Sequence, residues 1–138
     1  MKKKKSEMKA ILYLRSAEKT EKNSSIRRQE KKLADYCSKH EMEVIKEFTD
    51  YASGDTLDRP GWKQLTLFLK ESRHSNTVLL VSSFDRCTRR FSHAMEIIQL
   101  MEETGVSLIE AETGKDITKL FFNNSLQFVL ENVTLKIK

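Results

Sequence analysis

Three short runs in this chain carry no charged residue: Ala10–Leu14 (AILYL), Thr77–Ser82 (TVLLVS) and Val106–Ile109 (VSLI). Continuous apolar runs this short, bounded by polar segments, read as strands covered on both faces, which is the pattern of a parallel sheet. Val44–Phe48 (VIKEF) alternates instead and reads as a further strand. Parallel neighbours need long crossovers, and each gap between these runs is long enough for one.

The gaps carry helical periodicity. Ser24 or Ser25 can cap a helix from Ile26 to about Lys39, with Ile26, Leu33 and Tyr36 or Cys37 facing inward. Pro60 suits the first turn of a helix over Gly61–Glu71, with Asp58 or Arg59 near its cap and Trp62, Leu65, Phe68 and Leu69 as its core stripe. Phe91–Thr104 is a third helix, with Met95, Ile98 and Leu100 or Met101 inward and Gly105 ending it. From about Ile117 to Lys138 the pattern fits the start of a long helix, although "VTLKIK" alternates like a strand. Strands alternating with helices give βαβ units, hence an α/β three-layer sandwich on a mostly parallel sheet of four to five strands.

Charge is distributed unevenly. Residues 1–39 hold 13 Lys/Arg against 5 Asp/Glu, whereas the other 99 hold 12 against 15. That asymmetry fits a polyanion-binding face near the start of the chain, or a solvated tail and helix face. Cys37 and Cys87 stand alone, without the spacing of a zinc site or a disulfide framework, so a reducing cytoplasm is the expected location. No apolar run reaches membrane-spanning length, so no membrane is expected as a partner. "MKKKK" lacks the apolar segment of a secretory signal. No GxGxxG or GxxxxGK[ST] occurs, His40, His74 and His93 are scattered, and the carboxylates are too dispersed for a two-metal centre. No metal, cofactor or small-molecule substrate is therefore expected.

Right-handed crossovers bring the C-terminal ends of the first and third strands to one edge. The first end delivers Arg15 and Ser16; the third delivers Asp85, Arg86, Thr88 and Arg89; the loop after the second delivers Asp50, Ser53, Asp58 and Arg59. Guanidinium groups match pairs of phosphate oxygens and stay charged, so arginines converging on a phosphoryl group can stabilise its developing charge without a metal. The plainer alternatives are surface ion pairs for Arg15, a solvated turn for "DRCTRR" and a loop-closing role for Arg59.

Taken in order, "YLRSA", "SIRRQ", "FTDYASGDTLDRPGW", "LLVSSFDRCTRR" and "MEETGVSLIEAETG" resemble the N-terminal catalytic domain of serine recombinases, the resolvase/invertase family. The resemblance covers about residues 9–114. It implies a resolvase-like catalytic core there, preceded by a basic tail over 1–8 and followed over 115–138 by an oligomerisation helix. It implies a site-specific DNA recombinase in which a serine attacks a DNA phosphodiester, giving a 5′-phosphoserine link and a free 3′-OH. DNA is then the partner, and homodimers assemble into a tetramer. Carried over by motif position, Arg15, Arg59, Arg86 and Arg89 bind the phosphate, Ser53 and Asp85 are polar site residues, and Gln29 supports the site.

One position departs from the pattern. The family reads Tyr-x-Arg-x-Ser, whereas here Ala17 holds the serine's place and Ser16 stands one residue early. Two accounts follow: the loop is reshaped so that Ser16 is the nucleophile, or the chain is a catalytically impaired DNA-binding or oligomerisation module on the same fold. A shift of one residue at a strand end turns a side chain to the other face.

Overall fold

The computed structural model describes residues 8–17 and 24–121. The expected basic tail lies almost wholly outside them, as does most of the expected oligomerisation helix. The elements alternate as β1 (Lys9–Ser16), α1 (Ser24–Lys39), β2 (Glu43–Tyr51), α2 (Pro60–Lys70), β3 (Thr77–Val81), a 3-10 turn at Phe84–Arg86, α3 (Phe91–Thr104), β4 (Ser107–Glu110) and a two-residue β5 (Lys115–Asp116). A further helix begins at residue 117, where the sequence pattern starts one.

The sheet order is β2-β1-β3-β4-β5. The three pairings among β1 to β4 are parallel, and only β5 runs antiparallel, beside β4. Pleating sorts the side chains of β1 to two cores. Ile11 and Tyr13 pack with Trp62, Leu65 and Leu69 of α2 and with Ile97, Ile98 and Met101 of α3. Ala10, Leu12 and Leu14 pack with Ile26, Leu33 and Cys37 of α1. One helix on one face and two on the other make the three layers.

The register explains where a site can open. β1 pairs with β3 only from Lys9↔Thr77 to Leu12↔Leu80, while its pairing with β2 continues to Ser16↔Tyr51. Past Leu12 the two central strands therefore part. The crevice lies where the chain winds in opposite directions from β1 and β3, the place where open α/β sheets bind ligands.

Local details differ from the sequence pattern: β2 runs on to Tyr51 and β4 is shifted by one residue to Ser107–Glu110. β1 runs two residues beyond Leu14, because the peptide groups of Arg15 and Ser16 find partners. Met95 is largely exposed; Ala94, Ile97, Ile98 and Met101, at true helical spacing, take the inward stripe of α3. Arg59 stands at the N-cap position of α2, as expected, although its side chain makes no cap hydrogen bond. Gly105 ends α3 as expected, in the left-handed region at φ 77°, with its N–H donating to Met101 O.

Candidate functional site

Tyr13 and Arg15 share a parity on β1 and so face the α2 side of the crevice. The Arg15 peptide is gripped from the other layer by Gln29 of α1. Its N–H donates to Gln29 Oε1 at 3.2 Å, and Gln29 Nε2 donates back to Arg15 O at 2.8 Å. This two-point clamp gives the strand end a hydrogen-bond partner where β3 no longer supplies one.

The Arg15 guanidinium is directed at backbone. Nε donates to Arg86 O at 2.8 Å, Nη1 to Ala52 O at 2.8 Å and Nη2 to Asp85 O at 2.9 Å. Burial, then the neighbouring cations Arg59 and Arg86, lower its pKa from the usual arginine value. Arg59 goes deeper and is fully buried. It donates from Nε to Thr56 O at 2.6 Å, from Nη1 to Tyr13 Oη at 2.6 Å and from Nη2 to Cys87 O. A buried guanidinium is tolerable only when its donors are met, and here the Thr56 and Cys87 carbonyls and the Tyr13 hydroxyl meet them. Arg15 and Arg59 together hold the carbonyls of Asp85, Arg86 and Cys87, which a turn this short leaves without helical partners.

A second buried chain of bonds fixes α2 to the sheet. Tyr13 Oη donates to Asp50 Oδ2 at 2.7 Å, and the Asp50 carboxylate also accepts the N–H groups of Gly61 at 2.7 Å and Trp62 at 2.8 Å. Asp50 is thus the N-terminal cap of α2, supplied across space from β2 and complementing the positive end of the helix. Burial, reinforced by Asp50, raises the Tyr13 pKa far above its ordinary value, so the phenol stays protonated. Tyr13 and Asp50 were not among the residues singled out from the motifs for the site, although Asp50 was placed on its rim. Only the fold joins them to Arg59.

Arg86 and Arg89 lie differently. Both are half-buried. Arg86 Nη1 reaches Arg15 O at 3.3 Å, and its Nε is buried without a hydrogen-bond partner. The Arg89 side chain passes beside Gly54, where a Cβ would stand 2.6 Å from Arg89 Cδ and 3.0 Å from Arg15 Nη2. Gly54 therefore gives the two arginines the room to lie side by side. Asp85 accepts from Ser83 Oγ at 2.5 Å. Ser53 is exposed, and its hydroxyl accepts the Asp55 N–H within its own turn at 3.0 Å.

Ser16 is the last residue of β1, buried, with its carbonyl accepting the Ala52 N–H at 2.9 Å. By the pleat it shares the parity of Leu14, on the α1 side, opposite to Tyr13 and Arg15, and Ala17 follows in the exposed bend after β1. The structure thus gathers Arg15, Arg59, Arg86, Asp85 and Gln29 through direct hydrogen bonds, sets Arg89 beside them, and puts Ser16 on the opposite parity. Among the described residues no cluster of His, Cys, Asp or Glu could hold a metal ion.

The family model described as "Resolvase, N terminal domain" matches residues 10–130. The chain belongs to that family. Among solved structures, the resolvase-family domain is similar to the N-terminal catalytic domain of TP901-1 integrase, at 20% identity and TM-score 0.74 over 93% of this chain and 98% of that one. It is similar to a resolvase family site-specific recombinase from Streptococcus pneumoniae, at 18% identity and TM-score 0.69 over 95% and 93%. The C-terminal catalytic domain of ISC1926 TnpA, an IS607-like serine recombinase, shares 25% identity at TM-score 0.66 over 75% and 69%. No curated protein matches the sequence. No helix among the described residues is long and apolar enough to cross a membrane.

Proposed function

We propose that this domain acts on DNA as a recombinase-type module that seats a backbone phosphate over Arg86 and Arg89, in an arrangement that keeps Ser16 turned from that phosphate. Of the two accounts open from the sequence, this is the DNA-binding one with strand cleavage impaired. The observation that carries it is the pleat of β1. Ser16 falls on the parity opposite to Tyr13 and Arg15, and the next position, where the family pattern has its hydroxyl, holds the methyl group of Ala17. Attack by Ser16 requires the end of β1 to turn over and give up its bond to the Ala52 N–H, a net cost of about 1 kcal/mol for that bond.

The four arginines divide the work. Arg15 and Arg59 fix the loop and add positive potential from below, while Arg86 and Arg89 present donors to the ligand. Gln29 positions Arg15 through its peptide, and Asp85 and Ser53 shape the rim. The helix beginning at residue 117 is assigned to self-association, into dimers and then tetramers on DNA, in a cytoplasmic setting and without a metal or cofactor.

The test is binding of a fluorescein-labelled 30-base-pair duplex, read by anisotropy at 50 mM NaCl. Arg86→Ala with Arg89→Ala is expected to weaken binding at least tenfold while circular dichroism and melting temperature stay close to wild type. Unchanged affinity in a folded double variant contradicts the phosphate seat.

A further inference from the structure

We propose that the cationic face of α1, carried by Arg27, Arg28 and Lys32, is a second contact surface for the duplex backbone beside the arginine crevice. The proposal rests on the DNA reading above and extends it to a surface on the other side of the sheet from α2. All three side chains are exposed. Among the described residues none of them forms an ion pair; the one ion pair of α1 there joins Lys31 to Asp35 at 3.3 Å.

The buried face of this helix is uncharged. Ile26, Gln29, Leu33 and Cys37 are buried against the sheet. Glu30 lies on the flank toward β2, beside Glu47, whose carboxyl is held above its ordinary value first by burial and then by the Glu30 charge. At 100° per residue, Arg28 and Lys32 fall on the opposite flank, one turn apart, with Lys39 in line beyond them; Asp35 lies in the same stripe, paired with Lys31, and Arg27 lies on the outer surface nearer Glu30. From Arg28 to Lys39 the stripe is about 16 Å long at 1.5 Å per residue. A duplex of that length presents on the order of ten phosphate charges.

Helix stability does not account for this arrangement. α1 has no acidic residue in its first turn. Arg27 and Arg28 stand there instead, where the helix dipole disfavours cations. The stripe also borders the site, because Lys32 stands one turn on from Gln29, the residue that clamps the Arg15 peptide at the crevice. A phosphate backbone entering the crevice from the α1 side meets these cations next.

Counterion release gives a direct test, since the slope of log K against log salt counts neutralised phosphates at about 0.9 per contact on duplex DNA. Anisotropy titrations of the same 30-base-pair duplex at several NaCl concentrations from 50 to 200 mM compare wild type, R27Q/R28Q/K32Q and a charge-matched control, K46Q/K63Q/K70Q, on β2 and α2. The expected result is a slope shallower by about 2–3 in the α1 variant and by less than about 0.5 in the control. Equal slopes for wild type and the α1 variant overturn the inference while leaving the phosphate seat intact, as does an equal reduction in both triple variants. Wild-type protein that does not bind the duplex at 50 mM NaCl overturns the inference and the DNA reading together. Melting temperatures of the variants, expected within a few degrees of wild type, establish that the comparison is between folded proteins.

Discussion

At the residue scale, the arginines of this domain are not equivalent, and burial separates them. Arg59 has no exposed surface and donates to Thr56 O, Tyr13 Oη and Cys87 O. Its removal leaves those acceptors buried and unpaired, a loss of roughly 3–5 kcal/mol. Arg59→Ala is therefore expected to lower urea-unfolding stability by that amount, whereas Arg89→Ala changes it by less than about 1 kcal/mol. Cys87 gives a pH signature from the same loop. Burial pushes its thiol up to about 12, against the opposing influence of Arg59 and Arg15. Because the folded value lies above the unfolded one, the stabilising contribution is complete below about pH 8.5 and declines as pH rises, by up to ~1.4 kcal/mol per unit. Between pH 8.5 and 10, unfolding free energy is expected to fall about 1 kcal/mol more in wild type than in Cys87→Ala. Equal slopes for the two proteins would place the thiol in a solvated environment.

At the scale of elements, β2 and α2 come into close contact at Asp50 and Gly61. Asp50 reaches the first turn of the helix only because Gly61 has no side chain there. A Cβ on Gly61 would stand 2.8 Å from Asp50 Oδ2 and 2.8 Å from Thr49 O, and the second of these is backbone that cannot swing aside. Gly61→Ala is expected to destabilise the domain by about 1–3 kcal/mol, from overpacking and from loss of the cap, measured by thermal melting. This contact also marks a limit of sequence reading. Pro60 and Gly61 announce the start of α2, and the helix is found there. Asp50 lies ten positions upstream in a strand, and nothing local shows that its carboxylate turns to that helix rather than to the rim of the site. Arg59 was ambiguous for the same reason: a charged residue before Pro60 looks like a loop residue until the fold wraps the 3-10 turn around it.

For the whole molecule, the uncharged runs were enough to give a mostly parallel, doubly covered sheet, but not its order, which the structure supplies. The antiparallel β5 is too short to leave a pattern. The positions of Arg15, Arg86 and Arg89 near one crevice followed from crossover handedness, and the structure joins Arg15 to Arg86 directly. The parity of Ser16 did not follow, because it depends on how far β1 extends beyond Leu14. That extension is decided by Gln29 and by β2, which hold the Arg15 and Ser16 peptides in the strand. The central claim, that Ser16 is turned from the arginine face while Ala17 stands at the nucleophile's position, is tested most directly by covalent capture. Wild type, Ser16→Ala and Ala17→Ser are incubated with a pool of nicked duplexes of randomised sequence, and protein–DNA adducts are separated under denaturing conditions and mapped by mass spectrometry. The account predicts an adduct for Ala17→Ser at position 17 and at least tenfold less for wild type. An adduct on Ser16 of the wild-type protein, abolished in Ser16→Ala, would contradict it.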